Sequence, residues 1–341
     1  MTRVNASGYY GWDNFGDELF RAAVQRRRDL IWGRSAQVRS FVTPIRALHQ
    51  NLGFVGRATR LIEAITGAVW SQTIALCGGS VLEDVEGTQR ARRELLQKRR
   101  SIEAIGVSLG PWASDAARTR VRDYVLKMDR VVVRDLASRD RIDADVVVGG
   151  DLAALYPMPV VPREQRGHLT ICVSNDSKKS VDELVTLFTA LLADVTVPVK
   201  LLALNVRPGY GDVAFTEQIK QRLDPHHPDI EVHRFETIDQ TIALIAASRA
   251  VWSQRLHGLI VAYLCDVPIL ALSHHQKITD FAAHIGLPAR FLREDLSVDP
   301  EVRLAAHESL EQKPAWAMPP SAYKQAVSEA VAMTSHSAAA V

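Results

Sequence analysis

The feature that most constrains the fold is a rhythm: short β-branched runs alternate with amphipathic segments, and the alternation occurs twice. In the first half the spacing predicts strands at Gln37 to Val42, Thr73 to Cys77, Ile102 to Ser108, Arg130 to Arg134 and Asp145 to Val148. Helices are expected at Gly16 to Arg27, Arg57 to Gly67, Gln89 to Arg100 and Asp115 to Lys127. Strands separated by helix-length segments form parallel sheets, because a parallel pair needs a long crossover. A proline-rich stretch from Tyr156 to Pro162, followed by the polar Arg163 to Gly167, breaks the pattern. It then restarts, with strands at His168 to Val173, Val199 to Ala203, Glu231 to Arg234, Ala250 to Ser253 and Ile269 to Leu272. Helices near Val181 to Asp194, Phe215 to Gln221, Ile238 to Ala247, Leu256 to Cys265 and Ile278 to Ile285 alternate with them. The expectation is an α/β protein of two doubly wound, Rossmann-like domains, residues 1–157 and 168–333, joined by a linker at 158–167. Residues 334–341 are small and polar, and are expected to be disordered.

Composition excludes several classes. With 47% hydrophobic and 23% charged residues the 341-residue chain can bury real cores. Its strongly apolar stretches, such as Leu256 to Leu264, fall short of the ~20 residues that cross a bilayer. The start of the sequence has no basic segment followed by an apolar one, so a cytoplasmic location is expected. Cys77, Cys172 and Cys265 are far apart in apolar runs and read as reduced core thiols. Charge is uneven: residues 1–150 carry 24 Lys and Arg against 17 Asp and Glu, a balance of +7, and the remainder carries −5. A basic half suits an anionic partner or a solvated face, but the basic residues are not interleaved with aromatics and no nucleic acid is expected.

Among the glycines, Gly8, Gly11 and Gly16 do not fit a dinucleotide fingerprint, and no P-loop is present. Gly11-Trp12-Asp13-Asn14-Phe15-Gly16-Asp17-Glu18 is a polar loop running into a helix, suited to sugar hydroxyls or simply to capping that helix. Gly106-Val107-Ser108-Leu109-Gly110 has the spacing of a nucleophile elbow, but Pro111 and Trp112 follow it where a helix should start. Positive charge stands at strand ends: Arg134, then Arg255 with His257 two residues on, then Lys277 beyond Ile269 to Leu272. Singly these read as a capped helix, a core histidine and a solvated lysine. Placed at equivalent strand ends, Arg255, His257 and Lys277 are expected to converge as an anion site. His226-His227 and His274-His275 lack a suitably spaced carboxylate, and no metal site is expected.

Together, Asn14 to Glu18, Cys77-Gly78-Gly79-Ser80, Gly106 to Pro111, Arg134-Asp135 with Ser138, Arg255-Leu256-His257 and Lys277 resemble the polysaccharide pyruvyl transferase family, over roughly residues 8 to 290. The resemblance implies a GT-B-like enzyme with two domains facing a cleft. It would transfer the enolpyruvyl group of phosphoenolpyruvate onto two hydroxyls of a sugar as a ketal, releasing phosphate, with no cofactor beyond that donor. By resemblance, Arg134, His257 and Lys277 hold the donor, and Asn14 and Asp17 stand on the acceptor side. The glycine-rich motif reads Cys-Gly-Gly-Ser where many relatives have another glycine, and Gly258 stands where alanine is common.

The residues agree with that chemistry. The donor carries about three negative charges near neutral pH, which Arg134, Arg255 and Lys277 can meet without a metal. His257 is suited to protonate the methylene carbon, and Asp17, or less favourably Glu18, to take the proton of the attacking hydroxyl. Gly79 and Ser80 complete the expected acceptor side. The acceptor is a cell-surface or exopolysaccharide saccharide or its lipid-linked precursor, and the basic stretch Arg90, Arg92, Arg93, Lys98, Arg99 and Arg100 could meet the inner membrane face. The alternatives are a GT-B glycosyltransferase using a nucleotide sugar, a sugar-binding module without turnover, and a hydrolase built on Ser108.

Overall fold

The computed structural model describes residues 1–82, 100–176, 179–225, 227, 229–272, 275–295, 297–312 and 316–333. The chain divides into two units. The first comprises Met1–Trp12, Asp17–Tyr156 and the chain from Tyr323; the second comprises Asp13–Gly16 and Pro157–Ala322.

The first unit carries β1 (Arg3–Ser7), β2 (Gln37–Arg39), β3 (Thr73–Gly79), β4 (Ser101–Val107), β5 (Arg130–Val133) and β6 (Val147–Val148). All pairings are parallel, in the order β2-β1-β3-β4-β5-β6. Its helices are α1 (Phe15–Arg26), α2 (Arg28–Trp32), α3 (Arg46–His49), α4 (Phe54–Trp70), α5 (Asp115–Val125) and α6 (Leu136–Ile142). The chain runs from β1 out to β2 and then crosses back to β3, so the order reverses between β1 and β3. Ligands of open α/β sheets settle beyond the strand ends at such a reversal.

The second unit carries β7 (His168–Cys172), β8 (Val199–Ala203), β9 (Glu231–Arg234), β10 (Ser248–Ser253), β11 (Ile269–Leu272) and β12 (Leu292–Arg293), again all parallel, in the order β12-β11-β10-β7-β8-β9. Its helices are α7 (Val181–Leu192), α8 (Val213–Leu223), α9 (Ile238–Ala246), α10 (Leu256–Leu264), α11 (Gln276–Ile285) and α12 (Pro300–Glu311), while α13 (Pro320–Met333) leads back to the first unit. Here the reversal lies between β7 and β10.

Both doubly wound sheets expected from the rhythm are present, and the details follow from burial. Central strands β7, β10 and β11 are buried almost throughout and read as continuous apolar runs, whereas the edge strands β2 and β9 keep polar, exposed residues. Helix starts are capped as their sequences demand: Ser180 and Glu183 form a reciprocal capping box on α7, and Ser114, Thr237 and Asp299 cap α5, α9 and α12. Every residue of α10 except His257 is buried, so this helix is core rather than amphipathic surface. Leu187, Phe188, Trp252 and Leu270 pack in the second core, and Trp252 donates its indole N–H to Ser309 Oγ at 2.9 Å. Burying each such side chain is worth about 1.5 to 3 kcal/mol.

Three expectations change. The strand at Gln37 ends at Arg39, and the one at Asp145 shortens to Val147–Val148. The helix expected at Gln89 to Arg100 lies outside the described residues except for Arg100, whose guanidinium donates to the Ala68 carbonyl. Residues from Tyr323 on, placed by the sequence with the second half, belong to the first unit: Asp151 N–H donates to Tyr323 Oη at 2.6 Å, and Arg130 donates to the Val331 carbonyl. The tail 334–341 lies outside the described residues.

Candidate active site

In the second unit the reversal point is organised by a residue the sequence did not single out. Asp212, fully buried, lies in the glycine-containing connection between β8 and α8. Its Oδ1 accepts Asn175 N–H at 3.1 Å from beyond β7, and its Oδ2 accepts Asn205 N–H at 3.1 Å from beyond β8. The same carboxylate receives Arg255 from beyond β10, Nε to Oδ2 at 3.0 Å and Nη2 to Oδ1. A buried carboxylate is tolerable only when it is paired and its lone pairs are filled, and here both conditions hold.

Arg255 is therefore held from below, and the rest of its fork is engaged by exposed side chains at the surface. Nη2 also donates to Asn175 Oδ1 at 3.1 Å, and Nη1 donates to Asp176 Oδ2 at 3.2 Å. Asp176 Oδ1 meets His275 Nε2 at 3.4 Å, which ties the start of α11, and with it the Lys277 position, to the Arg255 loop. Burial pushes the Asp176 carboxyl up, but the His275 hydrogen bond and the Arg255 charge outweigh it and hold the group well below the usual carboxylate range. Gln254 links the two central strand ends, its N–H donating to Cys172 O at 2.8 Å while its side chain accepts Ser174 N–H at 3.1 Å.

His257 stands half-buried in the first turn of α10. The segment Asp13–Gly16 packs on this unit: Phe15 N–H donates to Leu204 O at 2.9 Å, Val206 N–H to Asp13 O at 2.9 Å, and Asn14 bridges Asn205. Phe15 is fully buried, edge-on to Phe235. Gly16 lies so close to the histidine that a Cβ there would sit 2.0 Å from His257 Nδ1. Asn14 thus belongs beside the β8 end, where its Oδ1 accepts Gly16 N–H at 3.1 Å. Gly258 is equally constrained, since a Cβ would fall 2.6 Å from Ser253 Oγ and 3.0 Å from Cys172 Sγ. The glycine that stands where relatives have alanine is thus fitted to its own surroundings.

The other expected residues lie in the first unit. Asp17 Oδ1 would be 3.7 Å from a Cβ on Gly79, so Asp17 and the Gly79-Ser80 turn meet at the β1/β3 reversal. Gly78 and Gly79 both hold positive φ, and a Cβ on Gly78 would strike Phe20. Glu18 is engaged locally: its Oε1 accepts Gly11 N–H at 2.6 Å and closes the loop before α1. Arg134, buried, is within 3.6 Å of Asp135 and 3.7 Å of Asp151. Burial pushes the Asp151 carboxyl up to about 6 despite the Arg134 charge. Asp135 caps α6 through Ser138 N–H at 2.7 Å, and Ser138 Oγ accepts Leu109 N–H at 3.0 Å. That bond organises the Gly106 to Pro111 turn. Ser108 is buried and its N–H donates to Gly79 O, while the next helix begins only at Asp115, so the turn lacks the helix a nucleophile elbow requires.

Of the residues singled out from the sequence, Arg255, His257, Lys277 and Asn14 belong to the second unit, and Asp17, Glu18, Gly79, Ser80 and Arg134 to the first. The sequence did not single out Asp212, Asn175, Asp176, Asn205 and Gln254. The only local signal for Asp212 was Gly209-Tyr210-Gly211, where a Cβ on Gly211 would lie 2.4 Å from Asn205 O. The pair partners His226 and His274 lie outside the described residues.

Solved structures share this architecture. A UDP-GlcNAc 2-epimerase from Methanocaldococcus jannaschii aligns over 98% of this chain and 99% of its own with a TM-score of 0.59 at 10% identity. One from Neisseria meningitidis, bound to UDP-GlcNAc, aligns over 99% and 100% with a TM-score of 0.58 at 11% identity. At such identities the likeness concerns the fold, which is GT-B-like with two doubly wound units. No curated protein sequence matches the chain. The family model for polysaccharide pyruvyl transferase, however, matches residues 34–276, more than two thirds of the sequence, and spans Arg134, Asp212, Arg255 and His257. The chain belongs to the polysaccharide pyruvyl transferase family.

Proposed function

We propose that the protein is a phosphoenolpyruvate-dependent ketal pyruvyl transferase acting on a sugar of a cell-surface polysaccharide or its lipid-linked precursor. The observation that carries the reading is the Arg255 fork, fixed by buried Asp212 at the β7/β10 reversal with His257 in the first turn of the adjacent helix. A pre-set guanidinium beside a helix N-terminus is suited to a phosphate or carboxylate.

In this reading Arg255 and Lys277 hold the donor anion, with Arg134 a further candidate cation. His257 gives a proton to the methylene carbon, which becomes CH3 as C2 becomes electrophilic. A sugar hydroxyl attacks C2 and passes its proton to Asp17. The C2–O bond to phosphate then breaks, phosphate leaving with the bonding pair and taking the proton held by Asp17, and the second hydroxyl adds to C2 and returns its proton to His257, closing the ketal. Asn14, Gly79 and Ser80 are the acceptor contacts; Glu18, occupied by Gly11, supports the loop. In this scheme the donor is held by side chains and no divalent cation takes part.

The test is incubation of the purified chain with phosphoenolpyruvate and a panel of acceptor glycans, in EDTA. Stoichiometric phosphate release with a pyruvyl ketal on the glycan is expected. Turnover only with UDP-GlcNAc or another nucleotide sugar would make it a glycosyltransferase, and loss of activity in EDTA restored by a divalent ion would refute the metal-free scheme.

A further inference from the structure

Helix α4 is turned outward in an unusual sense. At about 100° per residue, Phe54, Val55, Leu61, Ile62, Ile65 and Val69 fall within an arc of roughly 120°, and all six are exposed, Phe54 by 85%, Ile62 by 64% and Val69 by 71%. The opposite face is built for close packing: Gly56 and Gly67 are buried, and a Cβ on Gly67 would lie 2.4 Å from Asn5 Nδ2. Glu63 on that face bonds His49 Nδ1 at 2.9 Å and accepts Thr43 N–H at 2.7 Å. The helix is thus pinned with its apolar stripe outward, and Ile45, Leu48 and Leu52 extend the exposed apolar surface onto α3 and the connection. Contiguous exposed apolar surface on a soluble fold marks an interaction site.

Charge identifies the partner. Residues 34–70 contain five arginines and one acid, Glu63, which is taken up by His49. Arg34, Arg39, Arg46 and Arg57 are exposed. A second copy meeting this face across a two-fold axis would set arginine against arginine, with no carboxylate of residues 34–70 except the engaged Glu63 to answer. An anionic bilayer surface satisfies both halves of the pattern, with the stripe among acyl chains and the arginines at the phosphates.

We infer that the α3–α4 face is a docking surface for an anionic lipid bilayer. The inference does not depend on the transfer reaction, because binding is read without turnover.

The test is co-sedimentation of the full chain with vesicles of phosphatidylcholine alone or mixed with phosphatidylglycerol. The wild-type chain should pellet with the mixed vesicles and lose binding as salt rises. Ile62→Glu with Val69→Glu should abolish binding, and Arg46→Gln with Arg57→Gln should weaken it about 10- to 30-fold on anionic vesicles, both keeping the wild-type circular dichroism and melting profile. A wild-type chain that stays in the supernatant, or acidic variants that bind as well as wild type, would overturn the inference. So would a dimer by light scattering that Ile62→Glu dissociates, which would assign the face to self-association.

Discussion

Asp212 illustrates how one buried side chain sets the chemistry available to another. It fixes Arg255 while filling its remaining lone pairs with two strand-end amides, so replacing it leaves a largely buried guanidinium with only the exposed Asp176 as counter-charge. Asp212→Asn is expected to destabilise the second unit by about 3 to 5 kcal/mol, as when one partner of a buried pair is removed. Urea unfolding followed by the fluorescence of buried Trp252 would measure this, and a loss below about 1 kcal/mol would mean the hub is not carrying the strand ends. His257 and Lys277 separate proton transfer from anion binding. Lys277→Ala should raise the Michaelis constant for phosphoenolpyruvate by an amount matching about 1.5 to 3 kcal/mol. His257→Gln, which cannot titrate, should lower turnover roughly 100-fold or more with donor binding less affected. If His257→Gln changed only donor affinity, His257 would be a phosphate ligand and Asp17 the next candidate for the acid.

At the scale of elements, the segment Asp13–Gly16 and the first turn of α10 act as one piece, because Gly16 admits the His257 ring only by having no side chain. Gly16→Ala should therefore push the imidazole out of place. The expected result is a loss of turnover comparable to His257→Gln in a protein that still folds, checked by steady-state rates beside the melting curve. Unchanged rates would show that His257 can shift without cost. This junction also marks what the sequence could and could not disclose. The strand-helix rhythm exposed both sheets, since parallel strands buried on two faces must be apolar and β-branched. It also placed Arg255, His257 and Lys277 at strand ends, because strand ends are where such runs stop. Asp212 stayed hidden because its partners Asn175 and Arg255 lie 37 and 43 residues away, a proximity created by winding rather than by spacing. Asn14 appeared as an acceptor residue near Asp17, yet the unit boundary falls between them, within the first turn of α1. The return of α13 to the first unit rests on Tyr323 reaching Asp151, 172 residues back, which no local pattern records.

Across the whole molecule, the two units should respond oppositely to acid. Buried Asp151 in the first unit has its pKa raised from 3.8 to about 6, so the folded unit holds a proton over that range that the unfolded chain has already lost. Its stability must then fall as pH rises through about 4 to 6, by at most about 3 kcal/mol from this group. Asp176 in the second unit is lowered instead, so its contribution is present above 3.8 and lost as pH falls below that. Between pH 7 and 5 the first unit should gain stability from Asp151 while the second gains none from Asp176. Because two units need not unfold together, a single melting temperature would mix them. Amide exchange of Leu152 to Leu155 and of α13, corrected for the intrinsic rate, should show stronger protection at pH 5 than at pH 7. Asp151→Asn keeps an acceptor for Ala153 N–H, which Asp151 Oδ1 receives at 2.9 Å, and removes the titration, so its protection should no longer vary between those two pH values. An equal pH dependence in the variant would place the proton on another group and detach the return of the last helix from the charge state of the Arg134 pocket.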